Sequence, residues 1–406
     1  MIQIAVLGFG VVGSGVVEVV DKNADVIERN AGHKVRVKHI LDIRDFSNSP
    51  YADLFVNDFE TIERDADINI VVEVIGGATV AYEYTKRAIL AGKSVVTSNK
   101  ELVARHGYEL LKLAEEKGVN YLFEASVGGG VPVIRPIAQC LSANKIGEIY
   151  GILNGTTNYI LSAMQKSGAE LRDALADAQK MGYAEADPTA DVEGHDACRK
   201  ICILSSLAFG RHVYPSEVPA EGIMSVTKDD IYFANELGYR IKLLGRARVL
   251  TDHEGKDSVA AYVAPHLIGE DNLLASVNGV MNGIVVRGNA VGDVMFYGPG
   301  AGKMPTASAV TADIIDAAKH LHAKKQITWG DGCGTDDPMK LESAWYIRTD
   351  APRNKVEREF GEVMFAKNAS GGVIAFKTAV MSGNKLADIL SRGITPLSMF
   401  RVLSDY

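Results

Sequence analysis

Residues 2–13 read IQIAVLGFGVVG, and this stretch decides the fold of the first part of the chain. Ile2 to Leu7 form an apolar run of the kind that predicts a strand buried on both faces. A glycine turn follows at once, and a helical pattern extends from about Val11 to Glu28. Strand, glycine turn and helix in this order are the context that a dinucleotide-binding G-x-G-x-x-G turn requires.

Each glycine of this turn has a physical task. Gly8 permits the tight turn, Gly10 lets the backbone approach a pyrophosphate, and Gly13 lets the helix lie close to the strand. The helix N-terminus adds N–H groups and the positive end of a dipole, which suit phosphate. The predicted cofactor contacts in this turn are Gly8, Phe9, Gly10, Val11, Val12 and Gly13.

The second strand, predicted at Val35–Leu41, is followed by two charged residues, Asp42 and Arg44. An acidic residue here binds the ribose diol of NAD, whereas an arginine accommodates the 2′-phosphate of NADP. Because the chain offers both, and residues 45–48 add no further Lys or Arg, the choice between NAD and NADP stays open. Ordinary loop charge is the alternative for either residue.

Further αβ units predict a doubly wound parallel sheet. The predicted elements are a strand at 69–75, a helix at 80–91 and a strand at 94–97. Such sheets bind ligands at the carboxyl ends of their strands. The predicted cofactor contacts at these ends are Ile75, Gly76, Thr97, Ser98 and Lys100. A lysine beside a helix N-terminus is electrostatically unfavourable, which favours a functional role for Lys100 over that of a surface charge.

A strand predicted at 121–123 leads into the sequence EASVGGGVP, residues 124–132. Three successive glycines expose backbone carbonyl and N–H groups to a close neighbour. Glu124 adds an acidic oxygen, and oxygen ligands of this kind suit a hard cation. A simple hinge between domains explains the glycines equally well, and both interpretations stay open.

After a strand predicted at 146–153, the polar turn NGTTNY begins the next helix. Asn154, Gly155 and Thr156 supply N-cap donors and a hydroxyl, which suit a polar ligand.

The stretch GYAEADPTADVEGHDACRK, residues 182–200, carries five carboxylates and runs into the apolar helical sequence ICILSSLAFG. An apolar helix predicts an interior position, so charges at its start are expected near a cleft and need partners. Asp196 and Lys200 are spaced i, i+4 and share a helical face. A lysine held by an aspartate at a pocket is a candidate proton donor or acceptor. A plain ion pair is the alternative, and His195 is interpreted as an incidental helix residue.

Composition narrows the classes of function. The 406 residues carry a formal net charge of −8, which gives no electrostatic reason to bind nucleic acid or an anionic membrane. No signal segment and no apolar run of about 18 residues is found, so a cytoplasmic protein is expected. Cys198 and Cys202 lie one helical turn apart and are interpreted as reduced thiols, not as a disulfide or zinc site.

Six motifs occur in order along the chain: GFGVVG, SNKE, EASVGGGVP, GILNGTTNYIL, GYAEADPTADVEGHDACRK and GPGAGKMPTASAV. Together, over roughly residues 1–325, they resemble homoserine dehydrogenase. The resemblance implies interconversion of L-aspartate 4-semialdehyde and L-homoserine with NAD or NADP, in threonine, methionine and isoleucine biosynthesis. No kinase domain precedes Met1, so the monofunctional form is expected.

The resemblance also implies catalytic and substrate-binding roles. The implied catalytic residues are Lys200, Asp196 and Lys100, and the choice between Lys200 and Lys100 as the principal proton donor stays open. Glu185 and Asp191 are implied to hold the substrate's ammonium group and shape the pocket. The implied contacts to substrate and nicotinamide are Asn154, Gly155 and Thr156.

Two further sites follow from the same resemblance. A monovalent cation, sodium, is expected at Glu124, Val127, Gly129 and Val131, the last three through their carbonyl groups. A second cofactor turn is expected at Gly300, Ala301 and Gly302, before a helix at 307–320.

The C-terminal region carries a different pattern. Strands are predicted at 239–250, 258–266 and 284–296, and a βαββαβ order follows at 345–348, 355–360, 363–367, 372–378, 384–392 and 397–403. This order resembles an ACT regulatory domain. Such domains usually carry a glycine turn before the first helix, where residues 350–354 read DAPRN. L-Threonine as an effector is therefore a hypothesis from fold analogy alone.

The predicted fold class is α/β with three parts. Residues 1–130 form a Rossmann-type doubly wound parallel sheet, residues 131–325 an α+β substrate and dimerisation domain whose chain returns to the first domain near its end, and residues 341–406 the ACT-like domain. A homodimer or a dimer of dimers is the family expectation.

Two other functions compete with this interpretation. One is another amino-acid-linked Rossmann oxidoreductase, against which the motifs in 154–200 weigh. The other is a catalytically silent NADP-binding effector sensor, which would keep the first glycine turn but lose Lys100, Asp196 or Lys200. All three residues are present.

Overall fold

A computed structural model describes residues 1–321, 323, 327–368 and 372–403, so the predicted domain ends at 325 and 406 lie outside the described residues. The chain divides into two compact units. The first unit comprises Met1–Lys145, Cys202–Pro215 and Gly298–Cys333. The second comprises Ile146–Ile201, Ser216–Tyr297 and the chain from Gly334 onward.

Sixteen strands occur within the described ranges. They are β1 Ile2–Leu7, β2 Val35–Leu41, β3 Phe55–Val56, β4 Ile68–Glu73, β5 Ser94–Thr97, β6 Tyr121–Leu122, β7 Ile146–Ile152, β8 Tyr239–Thr251, β9 Asp257–Gly269, β10 Met281–Gly288, β11 Gly292–Pro299, β12 Glu342–Thr349, β13 Met364–Phe365, β14 Ile374–Lys377, β15 Met381–Ser382 and β16 Pro396–Leu403.

Fourteen α-helices occur in the same ranges. They are α1 Val11–Lys22, α2 Ala24–Ala31, α3 Phe59–Arg64, α4 Thr79–Leu90, α5 Lys100–Lys117, α6 Ala125–Gly128, α7 Gly155–Ser167, α8 Leu171–Lys180, α9 Thr189–Val192, α10 His195–Phe209, α11 Lys228–Glu236, α12 Lys303–Lys319, α13 Arg353–Phe360 and α14 Gly383–Leu390. None of these helices combines the length and apolar character that crossing a membrane requires.

The first unit contains a six-stranded parallel sheet with the order β3-β2-β1-β4-β5-β6. This is the order of a Rossmann fold, so the prediction from residues 2–13 is confirmed. β1 lies at the centre and pairs with β2 and β4, which places Val6 beside Ile40 and Val72. All three side chains are fully buried, as expected for a parallel sheet covered by helices on both faces.

Helices cover this sheet and complete the core of the first unit. α12 packs against α1, where Gly15 leaves room for Ala307: a Cβ on Gly15 would lie 3.0 Å from the Ala307 side chain. The predicted single helix from Val11 to about Glu28 is wrong, because the structure has two helices separated at Asn23. Asn23 has φ −108° and ψ 23°, outside the helical range, and asparagine competes with helix through its side chain.

The second unit is built on a ten-stranded mixed sheet. Its path is β11-β10-β7-β8-β9-β16-β12-β14-β13, with β15 paired to β12. β8 and β9 form a long antiparallel hairpin from Tyr239↔Gly269 to Thr251↔Asp257. The predicted single strand at 284–296 is wrong, because β10 and β11 are separate strands and Gly292, at φ +75°, stands where β11 begins.

The C-terminal residues belong to this same sheet. β12, β13, β14 and β16 lie in the order β16-β12-β14-β13, with α13 and α14 between them in sequence. The predicted alternation of strands and helices is therefore present, with the short β15 as an addition. β16 runs parallel to β9, with Arg401 beside His266 and Leu403 beside Ile268.

Candidate active site

The substrate-side residues predicted from the sequence gather around the start of α7. β7 ends at Ile152, and Asn154 caps α7: its Oδ1 accepts a hydrogen bond from the Thr157 backbone N–H at 2.8 Å. The backbone at Gly155 is tightly packed, since a Cβ there would lie 2.6 Å from the Val280 carbonyl oxygen. The helix start is thus held in place by its cap and by the adjacent chain.

The other end of the Asn154 side chain joins two carboxylates. Its Nδ2 group donates to Asp191 Oδ1 at 2.7 Å and to Asp196 Oδ2 at 3.0 Å. Asp191 lies in the short helix α9, and Asp196 in the first turn of α10. Gly194, with φ +81°, lies between the two helices. One amide therefore fixes the positions of two of the predicted acidic residues.

Lys200 completes this cluster. Its Nζ lies 2.8 Å from Asp196 Oδ2 and donates to the Leu153 carbonyl oxygen at 2.7 Å. Asp196 is 5% exposed and Lys200 is 8% exposed, so both charges lie largely out of water. A buried ion pair is stable only when further hydrogen bonds support it, and Asn154 and the Leu153 carbonyl supply them. The i, i+4 prediction for this pair is confirmed in its geometry.

The sheet makes room for the helix that carries Lys200. A Cβ on Gly245 in β8 would lie 2.7 Å from Leu153 and 3.1 Å from Ile201. The absence of a side chain at Gly245 lets both neighbours approach the strand. A substitution here would displace the residue that accepts the Lys200 hydrogen bond and the residue that follows Lys200.

Other sequence candidates in the second unit lie outside the buried cluster. The Thr156 hydroxyl donates to the Tyr183 carbonyl oxygen at 2.7 Å. Glu185 is exposed, and among the described residues no hydrogen bond or ion pair joins its carboxylate to the cluster. His195 is exposed and contacts Glu193 Oε2 at 3.1 Å, which agrees with its interpretation as an incidental helix residue. Cys198 and Cys202 are both buried.

The cofactor-side candidates lie in the first unit, beginning with the glycine turn. Gly8 has φ +96°, and a Cβ there would lie 2.8 Å from the Val74 carbonyl oxygen. A Cβ on Gly13 would lie 1.8 Å from the Gly8 carbonyl oxygen. Any side chain at Gly13 would therefore push α1 away from the turn. Gly8 thus forms the tight turn and Gly13 the close helix packing that the sequence predicts, and the cofactor contacts of this turn stay a prediction.

Asp42 and Arg44 form one connected arrangement beside this turn. Asp42 Oδ2 accepts the Phe9 backbone N–H at 2.6 Å, and Arg44 donates to both carboxylate oxygens at 3.0 and 2.9 Å. The hydrogen bonds from Arg44 are the main cause that lowers the pKa of Asp42 to about 2, against the opposing effect of burial. Asp42 therefore stays ionised at neutral pH, and Arg44 already neutralises it.

A buried carboxylate that the sequence prediction missed lies at the end of β4. Glu73 is fully buried; its Oε1 accepts the Ile75 N–H at 2.8 Å, and its Oε2 accepts the Thr97 hydroxyl at 2.6 Å. Burial raises the pKa of Glu73, and the hydrogen bonds oppose that rise. One side chain thus ties together the turns that follow β4 and β5. A charged residue that ends an otherwise apolar strand, as in INIVVE, is the signal that could have found it.

The turn after β5 places Lys100 as the first residue of α5. Asn99 caps the helix by accepting the Leu102 N–H at 3.1 Å, and its Nδ2 donates to the Gly77 carbonyl oxygen at 2.6 Å. The Asn99 backbone N–H in turn donates to Thr97 Oγ1 at 2.9 Å. Through these bonds Ile75, Gly76, Thr97, Ser98 and Lys100 lie on two turns linked to each other at one edge of the sheet.

Glu124 has a defined structural partner set. Its carboxylate accepts three successive backbone N–H groups, from Val133 and Ile134 at 2.7 and 2.8 Å on Oε1 and from Arg135 at 2.7 Å on Oε2. A carboxylate has about four lone-pair positions, so most of its capacity is already used. A cation at this turn would therefore depend mainly on backbone carbonyl groups. Among the described residues no cluster of three His, Cys, Asp or Glu side chains suited to a metal occurs.

The two remaining glycine turns of the first unit lie against each other. Gly129 has φ +56°, and a Cβ there would lie 2.3 Å from the Gly300 carbonyl oxygen. The Gly130 N–H donates to the Pro299 carbonyl oxygen at 3.1 Å. Gly302, at φ +117°, precedes α12. The Val127–Val131 and Gly300–Gly302 segments, predicted separately from sequence, are thus in direct backbone contact.

Comparison with known proteins adds the family. A model described as homoserine dehydrogenase matches residues 132–315, and one described as homoserine dehydrogenase, NAD binding domain, matches residues 8–124. A homoserine dehydrogenase from Pseudomonas aeruginosa is 43% identical over 365 residues, which cover 86% of this chain and 82% of that one. The chain belongs to the homoserine dehydrogenase family.

Solved structures agree with this assignment. The crystal structure of a homoserine dehydrogenase from Thiobacillus denitrificans has a TM-score of 0.90 and 36% identity, covering 99% of this chain and 98% of that one. A hyperthermophilic archaeal homoserine dehydrogenase in complex with NADPH has a TM-score of 0.66 and 30% identity, covering 78% and 97%. The protein is an NAD(P)-dependent oxidoreductase that interconverts L-aspartate 4-semialdehyde and L-homoserine, as the sequence motifs predicted.

Proposed function

We propose that Lys200 exchanges a proton with the substrate oxygen in this reaction. The observation that supports the proposal is the position of its ammonium, held by Asp196 and the Leu153 carbonyl group in a largely buried cluster. Aldehyde reduction develops negative charge on oxygen, and a fixed ammonium both stabilises that charge and supplies the proton. In homoserine oxidation the same group takes the proton back.

Asp196 and Asn154 are proposed as positioning residues. Asp196 holds the lysine ammonium in position at 2.8 Å, and the Asn154 amide holds Asp196 and Asp191 beside the start of α7. Asp191 is the carboxylate in this cluster proposed to receive the substrate's ammonium group. Glu185 is proposed for the same task on the family resemblance, and its exposed position calls for a change of side-chain conformation on binding.

A bound nicotinamide cofactor supplies or accepts the hydride. The chain itself contributes a glycine turn and the α1 N-terminus, which would bind the pyrophosphate. The packing at Gly8 and Gly13 leaves no room for a side chain. Glu73 holds the two turns at the carboxyl ends of β4 and β5. Lys100, at the second of these turns, is proposed as a further catalytic residue on the family resemblance.

The decisive experiment is the oxidation of L-homoserine, followed by the absorbance of the reduced nicotinamide. We expect turnover by the wild-type protein and a loss of about 10²- to 10⁴-fold in kcat for Lys200→Met, the usual contribution of a general acid or base. Lys180→Met is the matched control, since Lys180 is an exposed helical lysine paired with Asp177. Retention of wild-type kcat by Lys200→Met would overturn the proposal, and Lys100→Met in the same assay decides which lysine contributes more.

The cofactor preference depends on Asp42 and Arg44, and we propose that both nicotinamide cofactors bind. The two residues form an ion pair. When Arg44 swings away from it, Asp42 can bind the ribose diol of NAD, and Arg44 can bind the 2′-phosphate of NADP. Arg44→Ala should raise the KM for NADP more than that for NAD, and Asp42→Ala should do the reverse. Equal changes for both cofactors in both variants would contradict this assignment.

A monovalent cation is proposed at the turn of Val127, Gly129 and Val131. Support comes from the close approach of this turn to Gly300 and from the hardness of carbonyl oxygen as a ligand. The Glu124 carboxylate would contribute mainly by fixing the turn. Replacing sodium by a bulky organic cation in the assay should lower activity, and activity independent of the salt would remove the proposal.

Regulation and assembly are proposed from the fold alone. The strand order β16-β12-β14-β13 supports an ACT-like region, and L-threonine is the proposed effector. A homodimer or a dimer of dimers is the proposed assembly. L-Threonine without effect on the rate would remove the effector, and sedimentation at assay concentration decides the assembly.

A further inference from the structure

A cavity of about 690 Å³ lies in the second unit, and none of its described lining residues belongs to the Asn154 cluster. Its walls come from the later part of α7, the end of α11, the beginning of β8 and the segment before β10. Three cationic side chains line it: Lys166, Arg240 and Lys242. No Asp or Glu is among its described lining residues, in a chain whose formal net charge is −8. This concentration of positive charge calls for an explanation.

Lys242 is the most unusual of the three. It is 3% exposed, and its Nζ donates to Asn158 Oδ1 at 3.0 Å, to the Val277 carbonyl oxygen at 2.6 Å and to Asn278 Oδ1 at 3.0 Å. Within the described part of the chain no carboxylate approaches this ammonium to ion-pair distance. Neutral oxygens satisfy its hydrogen bonds but leave its charge uncompensated, and a buried charge without a counter-ion is costly.

The two other cations differ in their surroundings. Arg240 pairs with Glu270 at 2.6 Å and also bonds to Asn235 on α11. These bonds use two of the five N–H donors of the guanidinium. Lys166 is exposed near the end of α7, and no ion pair to it occurs among the described residues. The net charge of the lining therefore stays positive after the one carboxylate partner is counted.

We propose that this cavity binds a small anion that carries a carboxylate or phosphate group. Lys166 and Arg240 would contact the anion directly. Lys242 would contribute its charge and not a direct hydrogen bond, because its three N–H groups are already donated. The amide side chains of Asn235 and Asn278 lie on the same walls and suit the polar remainder of such a ligand.

The site should depend on pH. Burial lowers the pKa of Lys242 to about 8, with a smaller contribution from Arg240. The titratable or charged groups on the surrounding elements are Tyr159 and Lys166 on α7, Arg240 on β8, and Glu270, which pairs with Arg240. As the pH rises through about 8, Lys242 loses its charge, so anion affinity should fall.

Isothermal titration calorimetry of the full chain tests the proposal, with succinate and inorganic phosphate as separate probes. We expect at least one probe to bind, more weakly by about fivefold in Lys166→Gln and by tenfold or more in Lys242→Met. Lys180→Gln, an exposed lysine on α8, is the matched control and should bind as the wild type does. Circular dichroism and homoserine oxidation show whether each variant is folded and active.

The outcomes distinguish the two classes of ligand and show which results would contradict the proposal. Succinate alone would identify a carboxylate ligand, and phosphate alone a phosphate ligand. Binding with equal affinity in Lys166→Gln, Lys242→Met and the control would place the anion elsewhere and overturn the proposal. No binding of either probe below about 10 mM would also overturn it. Loss of succinate affinity between pH 7 and pH 9 in the wild type but not in Lys242→Met is the further expected result.

Discussion

Two buried lysines of the second unit, Lys200 and Lys242, differ in the charge of the groups around them. Lys200 has the Asp196 carboxylate at 2.8 Å and a backbone carbonyl at 2.7 Å. Lys242 has three oxygen acceptors, all of them neutral. Both ammonium groups have hydrogen-bond partners, and only the first has a counter-charge among its named contacts.

The difference shows that satisfied hydrogen bonds and balanced charge are separate requirements. A carboxylate neighbour favours the charged form of a lysine, whereas burial among neutral oxygens favours the uncharged form. The first arrangement suits a group that acts as an ammonium when it protonates the substrate oxygen in aldehyde reduction. The second suits a group whose charge can be removed by a rise in pH or balanced by a bound anion.

The largest effect should come from making Lys200 resemble Lys242. Asp196→Asn keeps the shape and removes the counter-charge that holds the lysine as an ammonium, so we expect kcat for the reduction of L-aspartate 4-semialdehyde to fall by about 10²- to 10³-fold. Glu193→Gln is the matched control, because Glu193 is an exposed acid in the same stretch and contacts only His195 in the described ion pairs. Wild-type kcat in Asp196→Asn would show that the ion pair is structural.

The next effect concerns stability. The pKa of Lys242 is about 8 in the folded state, and its ordinary value is 10.5. Between these two pH values the lysine is protonated in the unfolded chain and mostly neutral in the folded protein. The free energy of unfolding therefore rises with pH in this window through this group, by about 3 kcal/mol in all. The measurement is urea unfolding of wild type and Lys242→Met at pH 7.5 and pH 10. A difference between the two proteins that is independent of pH would contradict the assignment.

A smaller effect should follow from making Lys242 resemble Lys200. Asn278→Asp places a carboxylate about where Asn278 Oδ1 now lies, 3.0 Å from the ammonium. An opposite charge at this distance favours the charged lysine, so we expect the pKa of Lys242 to rise by about 1 unit or more. NMR titration of the lysine side chain measures it, and Asn289→Asp, in the turn between β10 and β11, is the control.

The smallest effect is expected at an exposed pair. His195 contacts Glu193 at 3.1 Å, with both side chains about half exposed. Exposed ion pairs contribute between about 0 and 1 kcal/mol. His195→Asn should therefore change the free energy of unfolding by less than about 0.5 kcal/mol and leave kcat unchanged. A loss of more than tenfold in kcat would make His195 part of the catalytic machinery.

Sequence reasoning succeeded where the structure depends on local spacing. The first glycine turn is recognisable because φ and packing at Gly8 and Gly13 exclude other residues. The Asp196–Lys200 pair is recognisable because i, i+4 residues share a helical face. Gly13 packs on the Gly8 carbonyl and Lys200 pairs with Asp196, so in both cases the interacting groups are neighbours along the chain and the pattern itself contains the contact.

It failed where the contact joins distant segments. Two such contacts are the hydrogen bond from Lys200 to the Leu153 carbonyl oxygen and the one from the Thr97 hydroxyl to Glu73. Both depend on how strands and helices pack together, and sequence spacing does not predict them. The same holds for the three backbone N–H groups, nine to eleven residues later, that the Glu124 carboxylate accepts. The cation predicted at Glu124 stays a prediction. The predicted single strand at 284–296 is wrong because Gly288 and Gly292 flank the turn between β10 and β11.

The pairing of β16 with β9 has a consequence for anyone who would shorten this protein. A gene fragment ending before Glu342 would encode the motifs of the active enzyme but none of β12 to β16. It would uncover the β9 backbone at His266, Leu267 and Ile268, where β16 now pairs. Leu267 and Ile268 are fully buried in the intact chain, and an apolar strand edge of this kind recruits other chains. We therefore expect the truncated product to aggregate, whether or not the C-terminal region also senses an effector.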